Sequence, residues 1–265
     1  MAKQHPWRRY VAIGDSFTEG IGDPEPRVPG GNRGWADRVA EVLDAQAEGF
    51  AYANLAIRGR LLQQILDEQV EPALALQPDL ITISAGGNDI IRPGTDPDEV
   101  AARLEGGIER LRSGGATVVL FNGPDIGGTP VLGRIRGKVA IYNENLHYIA
   151  KKHDAIVADM WALRELADPR MWAPDRLHFS PTGHHTIAIM VLDSLGVEHD
   201  LAPFQPEPLP ATPWRQARID DIVWAREHFA PWIIRRIRGT SSGDGITPKR
   251  PVPERVVVDT DGAAD

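Results

Sequence analysis

Four short stretches carry side chains able to do chemistry together. In "AIGDSFTEG" (12–20), Ser16 stands between an aspartate and an aromatic, directly after an apolar run. A serine hydroxyl is a weak nucleophile at neutral pH and needs a base; a histidine base needs a third group to hold its tautomer and stabilise the imidazolium. Of the eight histidines, His178 has such a group at hand, because "DRLH" places Asp175 three residues upstream. At that separation the carboxylate can hold Nδ1 and leave Nε2 for the serine. An acyl-transfer site also needs fixed donors for the oxyanion of its tetrahedral intermediate. "NLAIRGR" (54–60) offers the Gly59 amide, and "SAGGND" (84–89) offers the Asn88 carboxamide.

Each stretch alone has a plain alternative. Gly-Asp-Ser is a common turn, the Asp175 and His178 pair can stabilise a surface loop, Gly59 can be a helix-entry turn, and "GGND" can be a simple loop. The other histidines add no chemistry. His147 and His153 fall on or near a helix and are expected to face solvent, and His5, His199 and His228 have no companions. His184 and His185 lack the HExxH spacing that would set two ligands on one helical face, so no metal site is expected.

The elements that must position these residues decide between the readings. "YVAIG", "FAYANLA", "DLITISA", "TVVLFN" and "AIVADM" are apolar almost throughout, as parallel strands covered on both faces should be. Between them, Trp35 to Leu43, Leu61 to Val70, Val100 to Leu111 and Val139 to Ile149 keep the three- and four-residue spacing of amphipathic helices. Asp96, Pro97 and Glu99 read as a capping box that starts the third helix; Ser180 and Pro181 start a fifth, which ends before Gly196. Five β-α units predict a three-layer α/β/α sandwich with a parallel five-stranded sheet. Ser16, Gly59, Asn88 and the Asp175–His178 pair then come after strands one, two, three and five, all at the carboxyl edge where open α/β sheets bind ligands. Unrelated turns would not be so placed.

In this combination the sequence resembles the SGNH hydrolases, also called GDSL esterases and lipases. The resemblance covers roughly residues 8–196 and rests on "GDSFTEG", "NLAIRG", "GGND" and "DRLHFSPTGH". It implies a flavodoxin-like sheet, Ser16 as nucleophile, His178 as base and Asp175 as its orienter. It also implies an oxyanion hole made by the Ser16 amide, the Gly59 amide and the Asn88 side chain, with no metal or organic cofactor. Phe17 replaces the leucine of the family name, a change at the pocket wall rather than in the chemistry. The α/β-hydrolases share the Ser, Asp, His order, but "GDSFT" lacks the second glycine of their nucleophile elbow. The expected activity is hydrolysis of carboxylic esters through an acyl-enzyme. Acyl transfer and thioester hydrolysis by the same residues are the enzymatic alternatives.

The partner expected from this resemblance is a small-molecule ester substrate. A formal net charge of −8 argues against nucleic-acid binding, and the absence of cysteine excludes disulfides and thiolate chemistry. The N-terminus shows no signal-peptide pattern and no stretch is long enough to span a bilayer, so a cytoplasmic location is expected. Three segments are expected: a catalytic domain at 1–202, a proline-rich linker with a C-terminal helical extension at 203–238, and a flexible or draped tail at 239–265. In the extension, Trp214, Ile219, Ile222, Val223 and Phe229 form an apolar helical stripe, while Arg215, Arg218, Arg226, Arg235, Arg236 and Arg238 outnumber Asp220, Asp221 and Glu227. The preferred reading packs that stripe back on the catalytic domain. The alternative, of another class, is a non-catalytic binding or scaffold protein that docks through this basic helix on a membrane or partner. Composition does not determine oligomeric state.

Overall fold

Each of the five apolar runs forms a strand. In the computed structural model, which describes residues 5–129, 132–205, 207, 223–224, 226–227 and 242–256, the strands are β1 (Arg9–Gly14), β2 (Ala51–Asn54), β3 (Leu80–Ser84), β4 (Thr117–Phe121) and β5 (Ile156–Ala158). They run parallel in the order β2-β1-β3-β4-β5. This is the flavodoxin-like order, with its reversal point between β1 and β3. Each strand lies between two apolar layers, which is why its composition does not alternate.

Alternate residues of the strands feed two separate cores. Val11 and Ile13 of β1 pack with α3 (Leu62–Ala75), α5 (Pro97–Arg112) and α6 (Arg136–Lys152) on one face. Tyr10 and Ala12 pack with α2 (Gly34–Gln46) and α7 (Pro181–Ser194) on the other. The helix starts reflect local chemistry. Asp96 accepts from the Asp98 amide at 2.8 Å to cap α5, Ser180 Oγ accepts from the Gly183 amide at 3.2 Å to cap α7, and a proline fills the first turn of each.

Beyond α7, part of the segment expected to be flexible or draped over the domain returns to the sheet. Residues Arg250–Glu254 form a sixth strand, β6, antiparallel to β2 at the edge of the sheet. The anchor is electrostatic: the Lys249 side chain, 2% exposed, pairs with the fully buried Asp37 at 2.9 Å. Its ammonium also donates to the Asn32 and Arg33 carbonyls, each at 2.9 Å. Arg250 and Glu254 are the paired positions, and Pro251 and Pro253, which have no amide to give, fall between them. Prolines are tolerated on an edge strand and discourage a further strand from adding to it. The expected apolar helix from Trp214 to Phe229 lies outside the described residues apart from Val223, Trp224, Arg226 and Glu227. Among the described residues, no helix is long and apolar enough to cross a membrane.

Candidate active site

Loops at the carboxyl ends of β1, β3, β4 and β5 enclose a cavity of about 200 Å³ beside the reversal point of the sheet. Ser16, Asn88 and His178 all line it. Ser16 is the first residue of a single turn, α1 (Ser16–Glu19), which Asp15 caps by accepting from the Phe17 amide at 3.1 Å. At that position the Ser16 amide is one of the donors a helix start leaves without an intrahelical partner.

His178 sits on a short hairpin. The Ser180 amide donates to the Met171 carbonyl at 2.9 Å, the Ala173 amide to the His178 carbonyl at 2.8 Å, and Trp172 bridges Phe179 between them. The hairpin tip turns sharply through Arg176, whose φ of 54° lies in the left-handed region and whose amide closes on the Ala173 carbonyl at 2.8 Å. That turn brings Asp175 Oδ2 to 2.6 Å from His178 Nδ1, while Asp175 Oδ1 accepts from the Leu177 and His178 amides at 3.0 Å each. Burial by itself would push the Asp175 carboxyl up; the hydrogen bond and charge of His178, with the two amides, outweigh it and bring it down to about 2. At neutral pH this carboxylate is ionised and suited to stabilise an imidazolium. Ser16 Oγ makes no hydrogen bond to His178 Nε2 among the described residues, although both face one cavity. Such contacts commonly form only when substrate is bound.

The donors are linked to one another. Asn88, in the short α4 (Gly87–Ile90), donates from Nδ2 to Asp15 Oδ2 at 2.9 Å and to the Arg60 carbonyl at 3.1 Å. Gly59, with φ 76°, lies in the turn after β2 and is not in the cavity lining; its neighbour Arg60 is the link to Asn88. Glu19 ties the same turn to α1, accepting from the Arg58 amide at 2.7 Å and from its guanidinium at 2.9 Å. Asp15 and the Glu19–Arg58 pair are site features that residue typing passed over. Their signal was their place inside "GDSFTEG" and "NLAIRG", where charged side chains stand in motifs that the fold buries. Burial raises the Asp15 carboxyl to about 6, against the lowering effect of the Phe17 amide.

The remaining histidine near the site has a different job. His184 is fully buried, accepts from the Trp35 amide at Nδ1 (3.2 Å) and donates from Nε2 to the Ile21 carbonyl (3.1 Å). Its desolvation holds it well below the ordinary histidine range, so it is neutral and acts as a brace for the loop after α1. Away from Ser16, Asn88 and His178 the cavity wall is largely apolar, built from Ile90, Ile91, Ile126, Leu132, Ile135, Val139, Trp172 and Leu177.

Similar proteins agree with this architecture. The sequence model of the GDSL-like lipase/acylhydrolase family matches residues 12–186. YpmR of Bacillus subtilis (strain 168), described only as uncharacterized, is 31% identical over 88 residues. That match covers 31% of this chain, and the chain spans only about a third (32%) of YpmR's length. Among solved structures, a catalytic mutant of Axe2, an acetylxylan esterase from Geobacillus stearothermophilus, superposes with a TM-score of 0.61 at 22% identity. The match covers 75% of this chain and 98% of that one. A member of the lipolytic G-D-S-L family from Veillonella parvula DSM 2008 has a TM-score of 0.54 at 23% identity, covering 70% of this chain and 96% of its own. At these identities the solved structures speak for the fold.

Proposed function

We propose, from the premise that this chain belongs to the GDSL-like lipase/acylhydrolase family, that it is a serine hydrolase cleaving carboxylic esters through an acyl-enzyme formed on Ser16. The observation that carries this reading is that Ser16 and His178 face one cavity while Asp175 holds the far side of the imidazole at 2.6 Å. In the proposed cycle His178 Nε2 takes the Ser16 proton as Oγ adds to the ester carbonyl carbon. The resulting oxyanion is held by the Ser16 amide and the Asn88 carboxamide, both of which line the cavity, with the Gly59 amide, set back in the turn after β2, as the third donor that the family resemblance implies. Collapse breaks the bond to the alkoxy oxygen, which leaves with the proton from His178. Water, deprotonated by the same imidazole, then releases the acid and frees Ser16.

For Asn88 to serve the oxyanion, Nδ2 must share or release one of its two present acceptors, Asp15 Oδ2 or the Arg60 carbonyl. The cavity wall supports an ester whose acyl part is apolar, because aliphatic side chains can remove its surface from water but leave hydroxyls unpaired. An acetyl ester of a sugar, the substrate class named for the Axe2 neighbour, is the competing possibility.

A fluorophosphonate probe followed by peptide mapping tests the assignment. The label should fall on Ser16, and Ser16→Ala and His178→Ala should each keep the fold while lowering kcat by roughly 10⁵–10⁶. Labelling elsewhere, or wild-type turnover in Ser16→Ala, would remove the nucleophile. Adding competing alcohols and analysing the products distinguishes acyl transfer from hydrolysis.

A further inference from the structure

The C-terminal segment reaches the site from two sides. The family match ends at residue 186, and the solved neighbours are matched over 95–98% of their length while covering only 70–75% of this chain. About a quarter of the chain is therefore additional to the shared fold. At one side, Trp224 Nε1 donates to the carbonyl of Asp175 at 2.7 Å, and the Arg176 guanidinium lies over its ring at 5.3 Å. These are the two residues at the hairpin tip that turns the Asp175 carboxylate onto His178, and Arg176 holds a backbone conformation that a side chain adopts only when its surroundings over-determine it.

At the other side, Gly243 is buried against the turn that carries Gly59. A Cβ at Gly243 would lie 2.1 Å from the Arg58 carbonyl oxygen and 2.9 Å from Ile57 Cγ2. Asp244 stands 3.6 Å from the largely covered Arg60 guanidinium, a pair open to solvent on the Asp244 side that adds little energy but the same direction of restraint. A few residues further on the chain is firmly held: Lys249 is locked on Asp37, and β6 is paired with β2.

We propose that two described parts of the C-terminal segment, at Trp224 and from residue 242 to β6, act as a strap that positions both halves of the site, with Trp224 as the positioning residue for the Asp175–His178 hairpin and Gly243 for the Gly59 turn. The proposal rests on the roles given above to Ser16, Asp175 and His178. Trp224 is not among the residues that line the cavity. It acts by fixing the backbone from which the Asp175 carboxylate projects, and small displacements of such groups are costly to turnover. The strap also accounts for the position of Gly243, since a side chain there would meet the carbonyl of Arg58 in the turn whose Arg60 carbonyl accepts from Asn88.

The test compares full-length Trp224→Phe, which keeps a ring for Arg176 but removes the donor, with Gly243→Ala. For each, kcat and KM on p-nitrophenyl butyrate, the fluorophosphonate labelling rate and Tm are measured. The expected result for Trp224→Phe is a fall of roughly three- to tenfold in both kcat and labelling rate, with KM within about twofold and little change in Tm, the pattern of lost positioning rather than lost folding or binding; Gly243→Ala should show at least as large a fall together with a lower Tm, because its Cβ meets backbone. Wild-type kcat and labelling in Trp224→Phe overturn the strap, as does a loss of rate in that variant that only tracks a falling Tm. If Gly243→Ala fails to fold, Trp224→Phe decides alone. A wild-type protein that the probe does not label overturns the Ser16 reading and the strap with it, whereas labelling of the wild type with unaffected variants overturns the strap only.

Discussion

Asp15 and Asn88 show how adjacent polar groups set one another's behaviour. Asp15 is buried, bonded to the Asn88 carboxamide, and raised from 3.8 to about 6. The native state thus keeps a proton that the unfolded chain has already released. Stability from this group is complete below pH about 4 and is lost as pH rises through about 6. Denaturant unfolding should therefore show the wild type losing at most about 3 kcal/mol relative to Asp15→Asn between these limits. A pH-independent difference between the two proteins would contradict the burial argument. Asp175 has the opposite sign, since its carboxyl is lowered to about 2, so its contribution is present above pH about 4 and lost as pH falls through about 2. For Asn88→Ala, an oxyanion donor's loss predicts a fall in kcat of roughly 10²–10³ with KM little altered. A fall under tenfold would mean that Asn88 serves mainly to join the β1 and β2 loops.

Among the elements, β6 is the one whose existence depends on a distant partner. Lys249 enters a region of buried polar groups where Asp37 also accepts from the Tyr52 hydroxyl at 2.9 Å. Removing Lys249 leaves the buried Asp37 with the more distant Arg250 guanidinium at 3.9 Å, and an undercompensated buried charge costs up to roughly 3–5 kcal/mol. Lys249→Met should lower stability by about that amount, and chemical denaturation of the double variant Lys249→Met/Asp37→Leu should recover part of it. No recovery would mean that the loss arises from packing. The strands β1 to β5 were legible as apolar runs buried on both faces and the helices between them by the periodic face each buries; β6 was not, since "RPVPE" has two prolines and its single buried residue carries a charge. The strand's edge position removes the conflict with proline that holds inside a sheet.

At the scale of the whole molecule, the cavity is assembled from loops far apart in the chain, and its chemistry is a property of their meeting. Its apolar wall, reaching to Leu132, Ile135 and Val139, predicts that kcat/KM on p-nitrophenyl esters rises from acetate to butyrate or hexanoate. Each added methylene is worth up to about 0.8 kcal/mol if it is fully buried. A steady decline from acetate onward would favour small acyl groups and leave the nucleophile assignment untouched. The amino-acid sequence by itself determined the layered α/β architecture and the caps at Asp96 and Ser180, and it singled out Ser16, Gly59, Asn88, Asp175 and His178 as the residues to test, because periodicity, turn chemistry and short-range spacing are local properties. Only the tertiary structure decided that Asp15 is buried against Asn88, that Glu19 holds Arg58, that His184 is a neutral brace, and that Trp224, Gly243 and Lys249 return to the catalytic domain. Those depend on desolvation and on contacts between residues up to 217 positions apart, which no local pattern encodes.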